Sequence, residues 1–276
     1  MSLITLTTDF GNKDHFVGSV KGALHVEIPN VNVIEISNEI SPFNIIEGAY
    51  IIENAYRNFP KGSIHILGVD SEKTPEIKHL AIILDGHYFI CADNGIMSLV
   101  AKKIKPDKII EININNSSSS SFTVLDVFTK VAAHIYRGGS IDLVGKKINE
   151  LKEIYEINPI LNEKNNEIVG NVIYIDNYEN VVTNISKTIF KKFGKSRPYI
   201  INARNYKFNT IVNSYSQSIK FEVDKNVRKE EGKKIVIFNK AGFLELAIYK
   251  SNPSVTGGAS SLFGLKYGDI ISIKFE

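Results

Sequence analysis

The sequence predicts an α/β N-terminal domain, with a largely parallel sheet covered by helices on both faces, followed by a smaller all-β C-terminal domain. Three observations predict it. Strand-like and helix-like hydrophobic patterns alternate through the first half of the chain. A polar, charged stretch over 146–167 interrupts that rhythm. Beyond it, short β-like runs are separated by turns and few helical windows remain. The expected division is therefore 1–150 for the α/β domain, 151–167 for a linker and 168–276 for the all-β domain.

In the first domain, Leu3–Thr8 is β-rich and ends at Asp9. Phe16, Val20, Ala23 and Leu24 then recur at helical spacing. Val33–Ile36 reads as a strand, and Ser41-Pro42 starts a helix carried on by Ile45, Ala49, Ile52 and Tyr56. Ser63–Val69 is a buried strand ending at Asp70. Leu80–Leu84 and Tyr88–Ala92 are joined at Asp85-Gly86, a hairpin signal. Ile96–Ile104 reads as a helix, Lys108–Ile114 as a strand, and Asp126–Arg137 as a helix stopped by Gly138-Gly139. The serine run 117–121 reads as a flexible loop. In the second domain the β-like runs are Ile168–Asp176, Val181–Ile185, Tyr199–Ala203, Ser218–Val223, Lys234–Phe238, Phe243–Ile248 and Asp269–Phe275. Thr256-Gly257-Gly258-Ala259 reads as a turn into the last strand.

Composition narrows the function classes. Of 276 residues, 33 are basic and 30 acidic, a net +3 too small for a phosphate-tracking stripe, so nucleic acid is not an expected partner. The single cysteine, Cys91, lies in an apolar run and excludes an intramolecular disulfide or a multi-cysteine metal site. The N-terminus lacks the basic region and cleavage site of a signal peptide, and no run approaches the roughly 20 apolar residues of a membrane span. The chain reads as soluble and cytoplasmic, with no membrane partner. Neither a GxGxxG nor a GxxxxGK[ST] phosphate loop occurs, no HExxH pairs the six histidines, and no GxSxG marks a serine nucleophile. His65 and His134 read as structural. These motifs give no support for a metal site or a dinucleotide cofactor.

Ligands of parallel α/β sheets bind beyond the carboxyl ends of the strands, where Asp9, Asp70 and Asp93-Asn94-Gly95 fall. Asp9 and Asp14 suit an Asx turn or a helix N-cap equally well on spacing alone. From the residues alone, this is a two-domain protein with acidic strand ends.

The segment Thr7-Thr8-Asp9-Phe10-Gly11-Asn12-Lys13-Asp14-His15-Phe16-Val17-Gly18, followed by Lys21-Gly22, resembles the signature of the S-adenosylmethionine hydroxide adenosyltransferases, relatives of the fluorinase and chlorinase. Further blocks are similar to that family in order and spacing: Ile40-Ser41-Pro42-Phe43, Val69-Asp70, Asp93-Asn94-Gly95, Asp126-Val127-Phe128, Asp176-Asn177-Tyr178-Glu179-Asn180 and Asn239-Lys240-Ala241-Gly242. The resemblance covers nearly the whole chain. It implies a homotrimer with sites at subunit interfaces, in which water attacks C5′ of S-adenosylmethionine and releases adenosine and methionine. It also implies roles for particular residues. Asp9 would hold the ribose hydroxyls, Asp176 the methionine ammonium and Asn180 the adenine, with Phe43 and Tyr178 packing on the ligand. Asp14, Asp93 and Asn94 belong to the same binding blocks, and Lys240 and Ala241 fall where relatives contact methionine and adenosine. Asp70 aligns with the water-activating aspartate, which halide-using relatives lack.

Two departures stand out. The family arginine aligns with Ile77, leaving only Lys78 cationic beside it, and the family histidine aligns with Thr123. The expected catalytic set is therefore Asp70 with Lys78 and Thr123. The same residues also suit a protein of this fold that binds an adenosyl compound without turnover.

Overall fold

The computed structural model describes residues 3–114, 121–154, 158–228, 230 and 232–276, so most of the predicted serine loop lies outside the described residues. The chain divides into two compact units, residues 1–155 and 156–276.

The first unit runs β1 (Ile4–Thr8), α1 (Phe16–Glu27), β2 (Val33–Ser37), α2 (Ile45–Ala55), β3 (Ile64–Gly68), β4 (His79–Leu84), β5 (His87–Ala92), α3 (Ile96–Val100), β6 (Lys108–Ile112), a π-helical turn (Val124–Phe128) continuing into α4 (Thr129–Tyr136), and β7 (Gly145–Ile148). Its sheet has the order β2-β1-β3-β5-β4-β6-β7. The ladders β1–β2, β1–β3 and β3–β5 are parallel, whereas β4–β5, β4–β6 and β6–β7 are antiparallel. The sheet is thus mixed, and this corrects the expected largely parallel one. The first reversal, between β4 and β5, comes from the Asp85-Gly86 turn, and β6 and β7 then add antiparallel. Both residues have positive φ (50° and 72°), the geometry of a two-residue hairpin, which reverses the chain where a helical crossover would have kept it parallel.

Strand side chains point alternately to opposite faces, and the core divides accordingly. Ile4, Leu6, Ile64, Ile66 and Ile90 pack with Val17, Val20 and Leu24 of α1 and Val131 of α4. Leu80, Ile82, Leu84, Phe89 and Cys91 pack with Ala49 and Ile52 of α2 and Ile96 and Met97 of α3. Cys91 is a buried, free thiol whose pKa burial pushes up, as its apolar run suggests.

In the second unit, β8 (Ile160–Asn162), β9 (Glu167–Ile175), β10 (Val181–Ser186), α5 (Lys187–Gly194), β11 (Tyr199–Ala203), β12 (Tyr206–Phe208), β13 (Lys234–Phe238), β14 (Phe243–Ile248), α6 (Ala259–Phe263) and β15 (Ile270–Phe275) follow in order. The strands pair antiparallel as β12-β11-β15-β9-β10-β14-β13, with β8 added on β9. β8 falls within the segment read as a linker. Two short helices interrupt the strands. α5 starts at Ser186, whose hydroxyl accepts the Ile189 N–H (3.2 Å), and stops at Lys195 in the left-handed region. The predicted strand Ser218–Val223 is instead the end of a 3-10 helix (Tyr215–Ser218) followed by turns. Phe221 and Val223 stay exposed, with the Arg228 guanidinium 4.7 Å from the Phe221 ring centroid, and a strand without a neighbour to pair with gains nothing from its β-prone residues. Among the described residues, no helix is long and apolar enough to cross a membrane.

Candidate functional site

Asp9 leaves the carboxyl end of β1 beside the end of β3. One carboxylate oxygen, Oδ2, accepts the backbone N–H groups of Phe43 (2.9 Å) and Asp70 (3.2 Å). Both donors sit in the left-handed region, at φ 62° and 44°. Such conformations cost non-glycine residues on the order of 1 kcal/mol or more and persist where surroundings hold them. The Asp9 carboxylate supplies part of that hold. Gly68 lets the strand ends approach: a Cβ there would lie 3.0 Å from the Phe10 ring and 3.2 Å from Val124. Phe43 itself projects outward, 73% exposed.

Asp70 is fixed on its other side by Asn94, whose amide donates to the carbonyls of Val69 (2.9 Å) and Asp70 (3.0 Å) and whose oxygen accepts the Ile96 N–H. The next carbonyl, of Ser71, accepts two further bonds, from Thr123 Oγ1 (2.8 Å) and His79 Nε2 (3.0 Å). Because a carbonyl only accepts, His79 carries its proton on Nε2. Burial lowers the His79 pKa to about 4, so its ring is neutral. Burial also raises the Asp70 pKa above the usual carboxylate value. The negative charges of Asp9 and Glu72 push in the same direction, and Lys152 opposes them. A half-buried carboxylate with heightened proton affinity at a strand end is suited to accept a proton from water.

Lys78 and Asp93 lie together in a neighbouring place. They help line a cleft of about 470 Å³ with Glu76, Ile148, Glu150 and Lys152; neither Asp9 nor Asp70 is part of its lining. The Lys78 ammonium is half-exposed and pairs with Glu111 (2.9 Å), an arrangement worth little energetically at a surface. Asp93 Oδ1 accepts the Lys152 N–H (2.8 Å). Asp14 is exposed, one residue before the N-cap position of α1, which His15 occupies without a side-chain cap. His65 bonds Thr5 (2.7 Å) and His87 (3.2 Å) within the core, and His134 bonds the Ser140 carbonyl (2.9 Å). Both are structural, as read. Among the described residues, no three His, Cys, Asp or Glu side chains converge as a metal site.

In the second unit, Asp176 organises the connection from β9 to β10. Its Oδ1 accepts the N–H groups of Tyr178 (2.9 Å) and Asn180 (2.8 Å), and its Oδ2 accepts the Asn180 amide (2.9 Å). This Asx-type turn leaves Tyr178 62% exposed over a buried Asn180. The Glu179 carboxylate turns away, to the Gly258 N–H (2.7 Å) and to Ser261. Those hydrogen bonds hold its pKa below the ordinary value. A Cβ on Gly258 would come within 2.4 Å of the Tyr178 carbonyl, so only glycine fits. Gly258 therefore seats the start of α6 against this turn, and the predicted turn into the last strand is a turn into α6 instead.

Lys240 and Ala241 occupy the tight turn between β13 and β14, closed by Asn239, whose Oδ1 accepts the Phe243 N–H. Asn239 in turn donates to Glu245 (3.1 Å), which also accepts the Tyr215 hydroxyl (2.6 Å). Glu245 is buried opposite Val182, with its pKa raised by burial and, in smaller part, by the charge of Asp176.

His79, Lys152 and Glu245 are the neighbours that sequence reading missed. A signal for His79 did exist. The predicted hairpin sets the start of β4 level with the end of β5 (His79 faces Ala92), and β5 runs parallel to β3, hence to the Asp70 end of the sheet.

Known proteins resemble the chain along its whole length. Residues 4–145 match the model of the SAM hydroxide adenosyltransferase N-terminal domain, and residues 170–272 that of the C-terminal domain. A protein of Methanocaldococcus jannaschii named (R)-S-adenosyl-L-methionine hydrolase is 32% identical, the match covering 99% of this chain and 96% of the relative. A fluorinase of Nocardia brasiliensis is 23% identical over 70% of this chain and 74% of its own. A crystal structure of an uncharacterised conserved protein from Thermotoga maritima superposes with a TM-score of 0.82 at 26% identity, covering 99% of this chain and all of the other.

Proposed function

The chain belongs to the SAM hydroxide adenosyltransferase family, and from that premise we propose that it hydrolyses S-adenosyl-L-methionine to adenosine and L-methionine, with Asp70 as the base. The observation that carries this reading is the Asp70 carboxylate, raised in proton affinity beside Asp9 and held in a left-handed turn at the strand end. Water attacks C5′, the C5′–S bond breaks, and its electron pair returns to sulfur as a neutral thioether. The leaving group needs no proton; the attacking water must lose one, and Asp70 takes it. Placing that water in line with the C5′–S bond is the remaining demand.

The binding roles follow the chemistry of each group. Asp9 uses one oxygen for two N–H groups, and a carboxylate has further lone pairs for ribose hydroxyls. Asp176 likewise keeps acceptor capacity for an ammonium, Asn180 for adenine, and Lys240 supplies charge for the methionine carboxylate. The exposed rings of Phe43 and Tyr178 offer faces for the adenosyl group. Asp14, Asp93, Asn94 and Ala241 belong to the same motifs and are assigned to substrate binding with them. Lys78, which pairs with Glu111, supplies the cationic charge beside the position of the family arginine. We further propose a cytoplasmic homotrimer in which neighbouring subunits complete each site, using no cofactor. Separate core clusters gathering α1 with α4 and α2 with α3 support helices on both faces of the first sheet.

The test is chromatography of adenosine formed by the purified protein, with each sulfonium epimer supplied separately because the Methanocaldococcus relative's name specifies the R form. Asp70→Asn is expected to lose about 10²–10⁴-fold in kcat while calorimetric binding persists. Binding without any adenosine from the unmodified protein would establish a binding protein instead. Formation of a halogenated nucleoside in chloride or fluoride would overturn the assignment of water as nucleophile.

A further inference from the structure

Asp70 holds its left-handed conformation in a frame that reaches beyond its own peptide. Its N–H goes to Asp9 and its carbonyl to Asn94, but the carbonyl that follows, of Ser71, is gripped by two side chains from distant elements. His79 arrives from the start of β4 and Thr123 from the entrance to the π-helical turn. We infer that Thr123 and His79 are positioning residues for Asp70, acting together through the Ser71 carbonyl. The inference rests on Asp70 being the base.

Each partner has a feature that a purely packing role does not explain. His79 is buried, its ring edge-on to Phe128 at 4.9 Å, and its Nδ1 is buried with no hydrogen-bond partner among the described residues. An unpartnered buried nitrogen is unfavourable, and an apolar side chain would avoid it. What the imidazole adds is the Nε2–H bond to Ser71. Thr123 is also buried, and its hydroxyl proton is committed to the same carbonyl, so it is not directed at a substrate water. A carbonyl oxygen has two lone pairs, and both donors fit it. Removing either leaves the residue after Asp70 held from one side only.

The experiment compares the full-length protein with Thr123→Ser, Thr123→Val, His79→Gln and His79→Leu. Serine keeps the hydroxyl, and glutamine keeps a donor at the reach of Nε2. Thr123→Val and His79→Leu are expected to lower kcat about tenfold each with KM within about twofold. Thr123→Ser and His79→Gln are expected to recover most of the rate. Full kcat in Thr123→Val, or equal losses in Thr123→Ser and Thr123→Val, would overturn the inference.

A second readout does not depend on turnover. Hydrogen exchange of the Asp70 amide in ligand-free protein is expected to quicken in Thr123→Val and not in Thr123→Ser; unchanged exchange would overturn the inference. If the unmodified protein forms no adenosine, the reading of Asp70 as base fails, and the exchange experiment alone decides whether the clamp exists.

Discussion

Two aspartates organise the two halves of this protein, and they do so over very different distances along the chain. Asp9 binds N–H groups 34 and 61 residues away, drawing together the ends of β1 and β3 and the loop before α2. Asp176 binds N–H groups two and four residues away, within a single turn. The first carboxylate is an element of tertiary structure, and two left-handed residues depend on it. The second shapes only its own turn, which Gly258 then packs against. Loss of Asp9 should therefore disturb fold and chemistry together, whereas loss of Asp176 should disturb its turn and binding while sparing the chemical step.

Asp9→Ala is the sharpest test. It leaves the Phe43 and Asp70 N–H groups without their acceptor, and we expect a fall in melting temperature together with a loss of about a hundredfold or more in kcat/KM. Asp176→Ala is expected to raise KM about tenfold with kcat close to the parent's, as for loss of a charged contact made equally in ground and transition states. It should also lower the melting temperature, because the N–H and amide of buried Asn180 lose their acceptor. A fall in kcat for Asp176→Ala, or an unchanged kcat for Asp9→Ala, would break the comparison.

A smaller effect separates the charges around Asp70. Its acid form dominates below its raised pKa, so kcat/KM should climb with pH through an acid limb set by that group. Removing a negative neighbour lowers the pKa, and removing a positive one raises it. Glu72→Gln should thus move the limb to lower pH and Lys152→Met to higher pH. Identical profiles in both variants would show that Asp70 does not set the limb.

The smallest effect concerns Glu245, the buried carboxylate of the second unit. Its folded pKa lies above the ordinary value, so the folded state binds more protons than the unfolded chain between the two pKa values. Its contribution is fully present below the unfolded pKa, near 4.5, and is lost as pH rises through the folded one. Glu245→Gln does not ionise. Its melting temperature relative to the parent should accordingly improve between pH 4.5 and pH 8, and a difference independent of pH would refute the assignment.

Much of the site was legible in the linear chain because strand ends are local events. The apolar run Ser63–Val69 stops at Asp70, and the run Leu3–Thr8 stops at Asp9, so both carboxylates could be placed at the edge of a sheet from periodicity alone. Thr123 and Lys78 were harder to read. Their alignment positions suggested chemistry, but the hydroxyl of Thr123 goes to a carbonyl 52 residues away and the ammonium of Lys78 to Glu111 on β6. Spacing in sequence carries no record of such partners. The same holds for Glu245, an acidic residue in an apolar strand whose partners, Tyr215 and Asn239, lie on other elements or turns.

By itself the sequence determined the element types, the hairpin at Asp85-Gly86 and the change from α/β to β character, because hydrophobic period and turn chemistry act between near neighbours. Only the tertiary structure decided that β6 and β7 extend the antiparallel part of the first sheet, that Ser218–Val223 finds no strand partner among the described residues, and that the Ser71 carbonyl is held from two sides. Those outcomes depend on which distant groups meet once the sheet has formed, where each buried donor must find an acceptor.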